Sequence, residues 1–252
     1  MGSGNRYSDV STLIDTAVTV LAVVSQFWDT PRSVTVMVAP HLAKPHDFAA
    51  DVAAPPLRMR VTDRDAPRGV RLGNHVRLSA PLDTVLTLEL DGAAFALGVA
   101  ADELLLAALG RTVARTMGEG VVAVDVVRDG RAVPALIDLQ CVGEGRLDAT
   151  EMVLMARLAL TDLPAGRLGG FFGDSGSAAE VFFNYIGTTP ARGDEPPLLG
   201  HALEVRAYRD AGVMQVDWWF DGDRFDHATV QELAEQFPFA LIELTSEAMP
   251  SA

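Results

Sequence analysis

Residues 202–220 read ALEVRAYRDAGVMQVDWWF, and this stretch predicts a β-hairpin. Polar and apolar side chains alternate along 202–208 and along 213–220, which is typical of strands with one buried face. Asp210-Ala211-Gly212 between them is a turn signal. The alternation divides the first strand into an apolar set and a polar set: Leu203, Val205 and Ala207 against Glu204, Arg206 and Tyr208.

Two adjacent tryptophans, Trp218 and Trp219, lie near the end of the second strand. Successive side chains of a strand point to opposite faces, so we expect one of the two in the core. The other is expected to line an interface or the wall of a tunnel, because an indole combines a large apolar area with a polar N–H.

Hydrophobic periodicity assigns the rest of the chain to a mixture of helices and strands. It predicts helices at 10–28, 101–117, 149–160 and 227–245, and strands at 33–38, 120–127, 135–142 and 180–186. Residues 78–90 fit either a strand or a short helix, and residues 40–74 read as an irregular connection. The mixture predicts an α/β sandwich with an antiparallel or mixed sheet flanked by helices. We divide the chain into an N-terminal helix and crossover segment, 1–77, and a domain, 78–252.

Individual residues mark the expected ends of these elements. Asp102 and Asp226 are candidate N-caps, and Gly118 can end the helix that begins near residue 101. Pro238 is expected to kink the last helix. The pair Asp129-Gly130 predicts a turn between the strands at 120–127 and 135–142.

The charge balance argues against nucleic acid as a partner. The formal net charge is -14, whereas phosphate binding requires clustered cations. Arginines do cluster between Arg58 and Arg77, but Asp63 and Asp65 interrupt them. We interpret this segment as a solvated loop, with a docking strip for an acidic partner as the alternative.

Cys141 is the only cysteine, which excludes an internal disulfide and any cysteine-based metal site. It lies in an alternating apolar run, so we expect it in the core. His41, His46 and Asp47 do not have the spacing of helical metal ligands, and we expect no metal. The most apolar run, 13–24, is too short to span a bilayer, so we expect a cytoplasmic protein that is not bound to a membrane.

Several motifs in the second half follow one another in the order found in a known family. Asp102-Glu103-Leu104-Leu105-Leu106-Ala107 resembles an Asp-x-Leu-Leu-x-Ala helix start, and Gly130-Arg131 matches part of a Glu-Gly-His-Gly-Arg-Glu turn. Phe183-Asn184-Tyr185-Ile186-Gly187 matches a Phe-Asn-Tyr-x-Gly strand. Over roughly 78–246 the chain resembles the C-terminal half of a nonribosomal-peptide condensation or epimerization domain. The resemblance implies a single lobe with the chloramphenicol acetyltransferase fold, a two-layer sandwich.

The family carries a His-His-x-x-x-Asp-Gly motif in its first lobe, and the second histidine can act as a general base. None of the five histidines here adjoins another: His41, His46, His75, His201 and His227. If Asp226 matches the aspartate of such a motif, Asp221 and Gly222 stand at the histidine positions. Val127 stands where epimerization domains have a proton-transferring glutamate. We therefore expect the chain alone to be neither an epimerase nor an amide-forming enzyme.

Three functions are compatible with these residues. The chain can be a partner lobe that works with a first-lobe condensation protein, or with a second copy of itself, and engages a peptidyl carrier protein through its phosphopantetheine arm. It can be a repurposed enzyme, in which polar groups converge in a pocket; the candidates are Asp129, Arg131, Asn184, Tyr185 and Asp221. It can also be a non-catalytic interaction module. A nucleophile at Ser175 is disfavoured because the sequence lacks the strand–Gly-x-Ser-x-Gly–helix setting.

Overall fold

The hairpin predicted from residues 202–220 lies inside a six-stranded mixed sheet. The computed structural model describes residues 58–65, 74–127, 134–161, 179–187, 196–197 and 199–250, all within one compact unit, Ala53–Ala252. The strands are β1 His75–Ser79, β2 Gly120–Val127, β3 Ala135–Cys141, β4 Val181–Gly187, β5 Leu203–Asp210 and β6 Val213–Asp221. The helices are α1 Thr84–Leu97, α2 Ala101–Met117, α3 Ala149–Thr161 and α4 His227–Glu247. The predicted helix at 10–28, the strand at 33–38 and the Asp129-Gly130 turn lie outside the described residues.

The strand order is β1-β6-β5-β4-β2-β3. Strand β4 runs parallel to both β2 and β5, while the other neighbouring pairs are antiparallel. The four helices pack against one side of this sheet, where the apolar sets of the strands form a single core. This arrangement confirms the predicted α/β sandwich with a mixed sheet. We call the other side of the sheet the polar face.

The two central residues of the hairpin turn have left-handed backbone conformations. Ala211 and Gly212 have φ values of 47° and 84°, the combination that matches the right-handed twist of the flanking strands. Glycine at 212 adopts this conformation without steric cost. The hairpin is confirmed, with each strand one residue longer than predicted and the first strand displaced toward the turn.

The ambiguous segment at 78–90 divides into two elements. β1 ends at Ser79, and α1 begins at Thr84 after Asp83, whose side chain accepts a hydrogen bond from the Leu86 amide (2.7 Å). Gly98 ends α1 with φ 65°. The boundary proposed between residues 77 and 78 therefore falls inside β1, and the division of the chain otherwise stays a prediction.

Two predicted helix caps act differently from expectation. Asp102 lies inside the first turn of α2 instead of capping it, and the neighbouring Glu103 carboxylate accepts from the Ala100 amide (3.1 Å). Asp226 does stand at the N-cap of α4, but its side chain makes no capping bond and is paired with Arg64 instead. The helix continues through Pro238 to Glu247.

Trp218, Phe183 and Phe237 are wholly buried in the core, and the Trp218 and Phe237 rings meet edge-on with centroids 5.7 Å apart. Cys141 is buried there as a free thiol, as predicted.

None of the described helices is by itself long and apolar enough to cross a membrane. Helices α1 and α2 together are long and apolar enough, but the pair is bent by 111°.

Candidate polar-face site

Two adjacent rows of side chains cross the polar face of the sheet. Strand pairing places the first row in the order Arg77, Trp219, Glu204, Phe182 and Asp125. The second row contains Ser79, Asp217, Arg206, Asn184 and Val127. A sheet surface with helices on its other side is normally solvated and loosely paired. Here Glu204, Arg206, Asp217 and Trp219 are buried, so their pairing decides what this face can do.

Asp217 is the most deeply buried group of the polar face. Its carboxylate accepts hydrogen bonds from Arg77 Nη2 (2.8 Å), Ser79 Oγ (2.7 Å) and the Tyr208 hydroxyl (2.9 Å). Three donors, one of them charged, stabilise a carboxylate that burial would otherwise destabilise. Burial, followed by the hydrogen bond to Asp217, raises the pKa of Tyr208, because a phenolate beside this carboxylate is disfavoured.

Trp219 lies between two guanidinium groups. The central carbons of Arg77 and Arg206 are 5.7 Å and 5.4 Å from its ring centroid, within the range of cation–π attraction. Arg206 Nε also donates to Glu204 Oε1 (2.6 Å). The prediction that the two tryptophans take opposite faces is confirmed, with Trp218 in the core and Trp219 in this cationic sandwich.

A histidine–carboxylate pair lies at the β2 end of the first row. His201 Nε2 is 2.8 Å from Asp125 Oδ2, and the Phe182 ring stacks on the imidazole with centroids 5.0 Å apart. His201 is buried, and its Nδ1 has no hydrogen-bond partner among the described residues. Sequence patterns alone do not reveal this pair. Alternation along β2 can place Asp125 on the polar face, but no pattern connects it to His201, 76 residues away.

A cleft opens near the start of β2. Its volume is about 240 Å³, and it is lined by Arg58, Met59, Arg60, Val122, Ala123 and Glu180. Arg58 Nε donates to Asp138 (2.7 Å), and Glu180 accepts from the Val61 amide (3.0 Å) and from Arg224 (2.8 Å). Since Ala123 precedes Asp125 by two strand positions, the cleft adjoins the histidine–carboxylate pair.

The described candidates from the sequence do not come together. Asn184 faces the polar side opposite Arg206, whereas Tyr185 points to the helix-covered side and packs against the core. Asp221 is the last residue of β6, where its Oδ1 accepts from the Asp223 amide of the following turn (3.0 Å). Asp129 and Arg131 lie outside the described residues. Within the described ranges, no group of three histidine, cysteine or acidic side chains is placed to hold a metal ion.

Comparison with known proteins connects this chain to large biosynthetic enzymes. No protein-family model matches it. It is 33% identical over 219 residues to one of the polypeptides of the phenolphthiocerol/phthiocerol polyketide synthase of Mycobacterium tuberculosis, and equally to the corresponding polypeptide of Mycobacterium bovis. The alignment covers 69% of this chain and only 14% of the mycobacterial protein, so the chain is similar to one segment of a much longer polypeptide.

Solved structures with a similar fold include condensation and epimerization domains. The epimerization domain from the third module of tyrocidine synthetase B matches with TM-score 0.59 and 16% identity, over 78% of this chain and 53% of that one. The condensation domain of Monacolin K polyketide synthase matches with TM-score 0.54 and 14% identity, over 96% and 62%. A chain from the complex of the X-domain and OxyB of teicoplanin biosynthesis gives TM-score 0.55 and 17% identity, over 77% and 50%. The fold of this chain is therefore that of a condensation or epimerization domain, over about half of such a domain.

Proposed function

We propose that this chain acts in nonribosomal-peptide or polyketide biosynthesis as the C-terminal lobe of a condensation-type domain, together with a partner lobe and a carrier protein. The observation that carries the proposal is the coverage of the fold: the match spans 78% of this chain but 53% of the tyrocidine epimerization domain. The similarity to a polyketide synthase polypeptide supports the same biosynthetic setting, which we place in the cytoplasm.

The polar face is the surface through which such a lobe would meet its substrate. The described residues contain no adjacent histidines, so the reacting base would come from the partner lobe. The polar face would then supply a rigid wall, since Asp217 and Glu204 fix Arg77 and Arg206 around Trp219. A rigid wall of paired charged groups suits the positioning of an acyl or peptidyl chain on a phosphopantetheine arm.

The proposal is tested by mixing the purified chain with a first-lobe protein that carries the His-His-x-x-x-Asp-Gly motif and with a loaded carrier protein. Light scattering gives the masses, and mass spectrometry follows the carrier-bound intermediate. We expect a stable complex and turnover that requires both lobes. Asn184→Leu, on the half-buried polar side of β4, should lower turnover at least tenfold, while Tyr185→Phe on the opposite side should not.

Failure to form any complex with a first lobe or a carrier would overturn the partner-lobe function, and equal loss of turnover in both variants would overturn the role of the polar face in it. A chain that binds other biosynthetic proteins without affecting turnover would instead be an interaction module. A homodimer that turns over the carrier-bound substrate would replace the separate first lobe with a second copy of this chain.

The His201–Asp125 pair supports a second candidate function, proton transfer on a thioester substrate by this chain alone. A carboxylate bound at Nε2 orients the imidazole, so Nδ1, which is buried and has no hydrogen-bond partner among the described residues, is the atom that would take the proton from a substrate. Such a chain would exchange the α-hydrogen of a pantetheine thioester with deuterated water. His201→Gln should abolish that exchange and His227→Gln, an exposed residue at the start of α4, should not. No exchange by the wild-type chain excludes this candidate.

A further inference from the structure

Helix α1 is apolar on two opposite sides. Leu86 and Leu90 point into the core, as expected for a helix that covers a sheet. Val85, Leu88 and Phe95 point away from it, with 64%, 65% and 91% of their surfaces exposed. Their spacing of three and seven residues aligns them along one outward stripe. A solvated outer surface would carry polar residues at these positions.

Helices α3 and α4 repeat this pattern. Leu154 and Leu158 are exposed one turn apart on α3. Phe239 and Ile242 are exposed on α4, and Met249 follows just after the end of that helix. Single exposed apolar residues are ordinary on protein surfaces, whereas outward apolar pairs on each of three neighbouring helices mark an interaction surface.

These stripes belong to one continuous surface, which we call the outer helical face. Helix α4 packs against both α1 and α3. Arg157 of α3 donates to the Gly98 carbonyl at the end of α1 (3.3 Å), and the Met249 amide donates to Thr150 (2.9 Å). Between these contacts lies a shallow groove lined mainly by apolar side chains, including Leu97, Val99, Val153, Leu154 and Met249.

The outer helical face is also strongly acidic. Six exposed carboxylates lie on the three helices: Glu89, Asp91, Glu151, Glu232, Glu235 and Glu247. Arg157 is the only arginine or lysine of these helices, and Arg209 of β5 pairs with Asp91. A second copy docked here would bring these carboxylates against one another, and an anionic lipid surface would also be repelled. Charge complementarity therefore selects a cationic partner.

We propose that the outer helical face is a docking site for an amphipathic helix of another protein, with an apolar stripe bordered by arginine or lysine. Its apolar stripe would lie on Leu154, which lines the groove, and on the exposed side chains of Phe95 and Phe239, in the helix-in-groove manner. Its cations would meet the exposed carboxylates of the three helices. This site lies on the opposite side of the sheet from the polar face, so it is independent of the proposed function.

The test uses the full chain and two fluorescent helical peptides that share one leucine stripe, one flanked by arginine and the other by glutamate. Binding is followed by fluorescence anisotropy at low and high salt. We expect saturable binding of the arginine peptide, weakened by salt, and at least tenfold weaker binding of the glutamate peptide. Phe95→Glu and Leu88→Glu should each weaken binding of the arginine peptide at least tenfold. Leu136→Glu, at an exposed leucine on the edge strand β3, should leave it unchanged.

Several results would overturn the proposal. Equal affinity for both peptides would show that the carboxylates do not select a cationic partner. Equal effects of Phe95→Glu and Leu136→Glu would show that the peptide does not bind at the outer helical face. Self-association that Phe95→Glu abolishes would identify a second copy as the occupant. Binding to phosphatidylcholine vesicles in preference to the arginine peptide would identify a lipid surface. Circular dichroism of each variant checks that the fold is intact.

Discussion

Arg111 of α2 and Glu243 of α4 form an ion pair inside the core, with Nε and Oε1 3.0 Å apart and both side chains buried. Arg111 also donates to the carbonyls of Val142 (2.7 Å) and Leu147 (2.8 Å), so it joins two helices to the segment after β3. Arg115 pairs with the same carboxylate. A buried pair contributes little net stability, but removal of one partner leaves the other uncompensated.

Glu243→Gln should therefore destabilise the fold by about 3 kcal/mol, because Arg111 would remain buried without its counter-charge. Urea unfolding followed by circular dichroism measures the change. Glu247→Gln, one turn later and exposed, is the matched control and should change the free energy of unfolding by less than about 0.5 kcal/mol. Equal effects of the two substitutions would show that the ion pair does not stabilise the helix packing.

Tyr208 provides a prediction about alkaline pH. Burial and the hydrogen bond to Asp217 raise its pKa, so it should ionise above the usual tyrosine value of about 10. The folded state favours the protonated phenol; its contribution to stability is complete below about pH 10 and declines as pH rises through the folded pKa. The ultraviolet difference between wild type and Tyr208→Phe isolates this titration.

In Tyr208→Phe, Asp217 loses one of its three hydrogen-bond donors, which should lower the free energy of unfolding by about 1 kcal/mol at neutral pH. Ser79 and Arg77 still compensate the carboxylate, which keeps the loss small. A difference spectrum that titrates at or below about pH 10 would contradict the buried hydrogen bond.

Local patterns predict the hairpin and helix α2 because each is decided by residues close in sequence. Alternation and a turn signal are enough to predict the hairpin at residues 202–220, and a continuous apolar face is enough to predict the helix at 101–117. The parallel pairing of β4 with β2 and β5 depends on contacts between distant segments, so no local pattern can supply the strand order. The sequence predicts part of the polar face, because alternation along β5 separates Glu204 and Arg206 from the residues that point into the core.

Local patterns fail at several predicted positions for reasons that differ between them. Residue type predicts Asp226 as the cap of α4, but Arg64, 162 residues earlier, takes its carboxylate. Asp102 offers a cap by residue type, although the helix begins one residue before it. Asn184 and Tyr185 are adjacent candidates, yet adjacent strand residues face opposite sides of the sheet. In these cases the residue type shows which hydrogen bonds a side chain can make, whereas its burial and its neighbours in the fold determine which of them it does make.

Cys141 should be unreactive in the folded protein. Burial raises the pKa of its thiol to about 12, so almost no thiolate is present at about pH 8. A thiol-reactive disulfide reagent should modify no cysteine in the native chain and one in guanidinium chloride, because the sequence has a single cysteine. Rapid stoichiometric reaction without denaturant would mean that β3 opens readily or that the thiol is not buried.

Two glycines, both inside helices, should respond oppositely to alanine. A Cβ at Gly110 of α2 would lie 2.5 Å from the Gln140 carbonyl oxygen and 2.7 Å from Met152 Cε, whereas nothing lies within 4 Å of a Cβ at Gly92 of α1. Alanine favours a helix over glycine by about 1 kcal/mol, so Gly92→Ala should stabilise the fold by up to that amount. At Gly110 the clash involves the backbone of β3, which cannot move away as a side-chain end can.

Overpacking of this kind typically costs about 1–3 kcal/mol, so Gly110→Ala should be destabilising despite the gain in helix propensity. Thermal and urea unfolding of the two variants and the wild type measure the change in the free energy of unfolding, which should be positive for Gly92→Ala and negative for Gly110→Ala. Stabilisation by Gly110→Ala would show that α2 stands farther from β3 than the close approach at Gln140 implies. Destabilisation by both variants would mean that the outer surface of α1 is packed against something at Gly92, which would bear directly on the outer helical face.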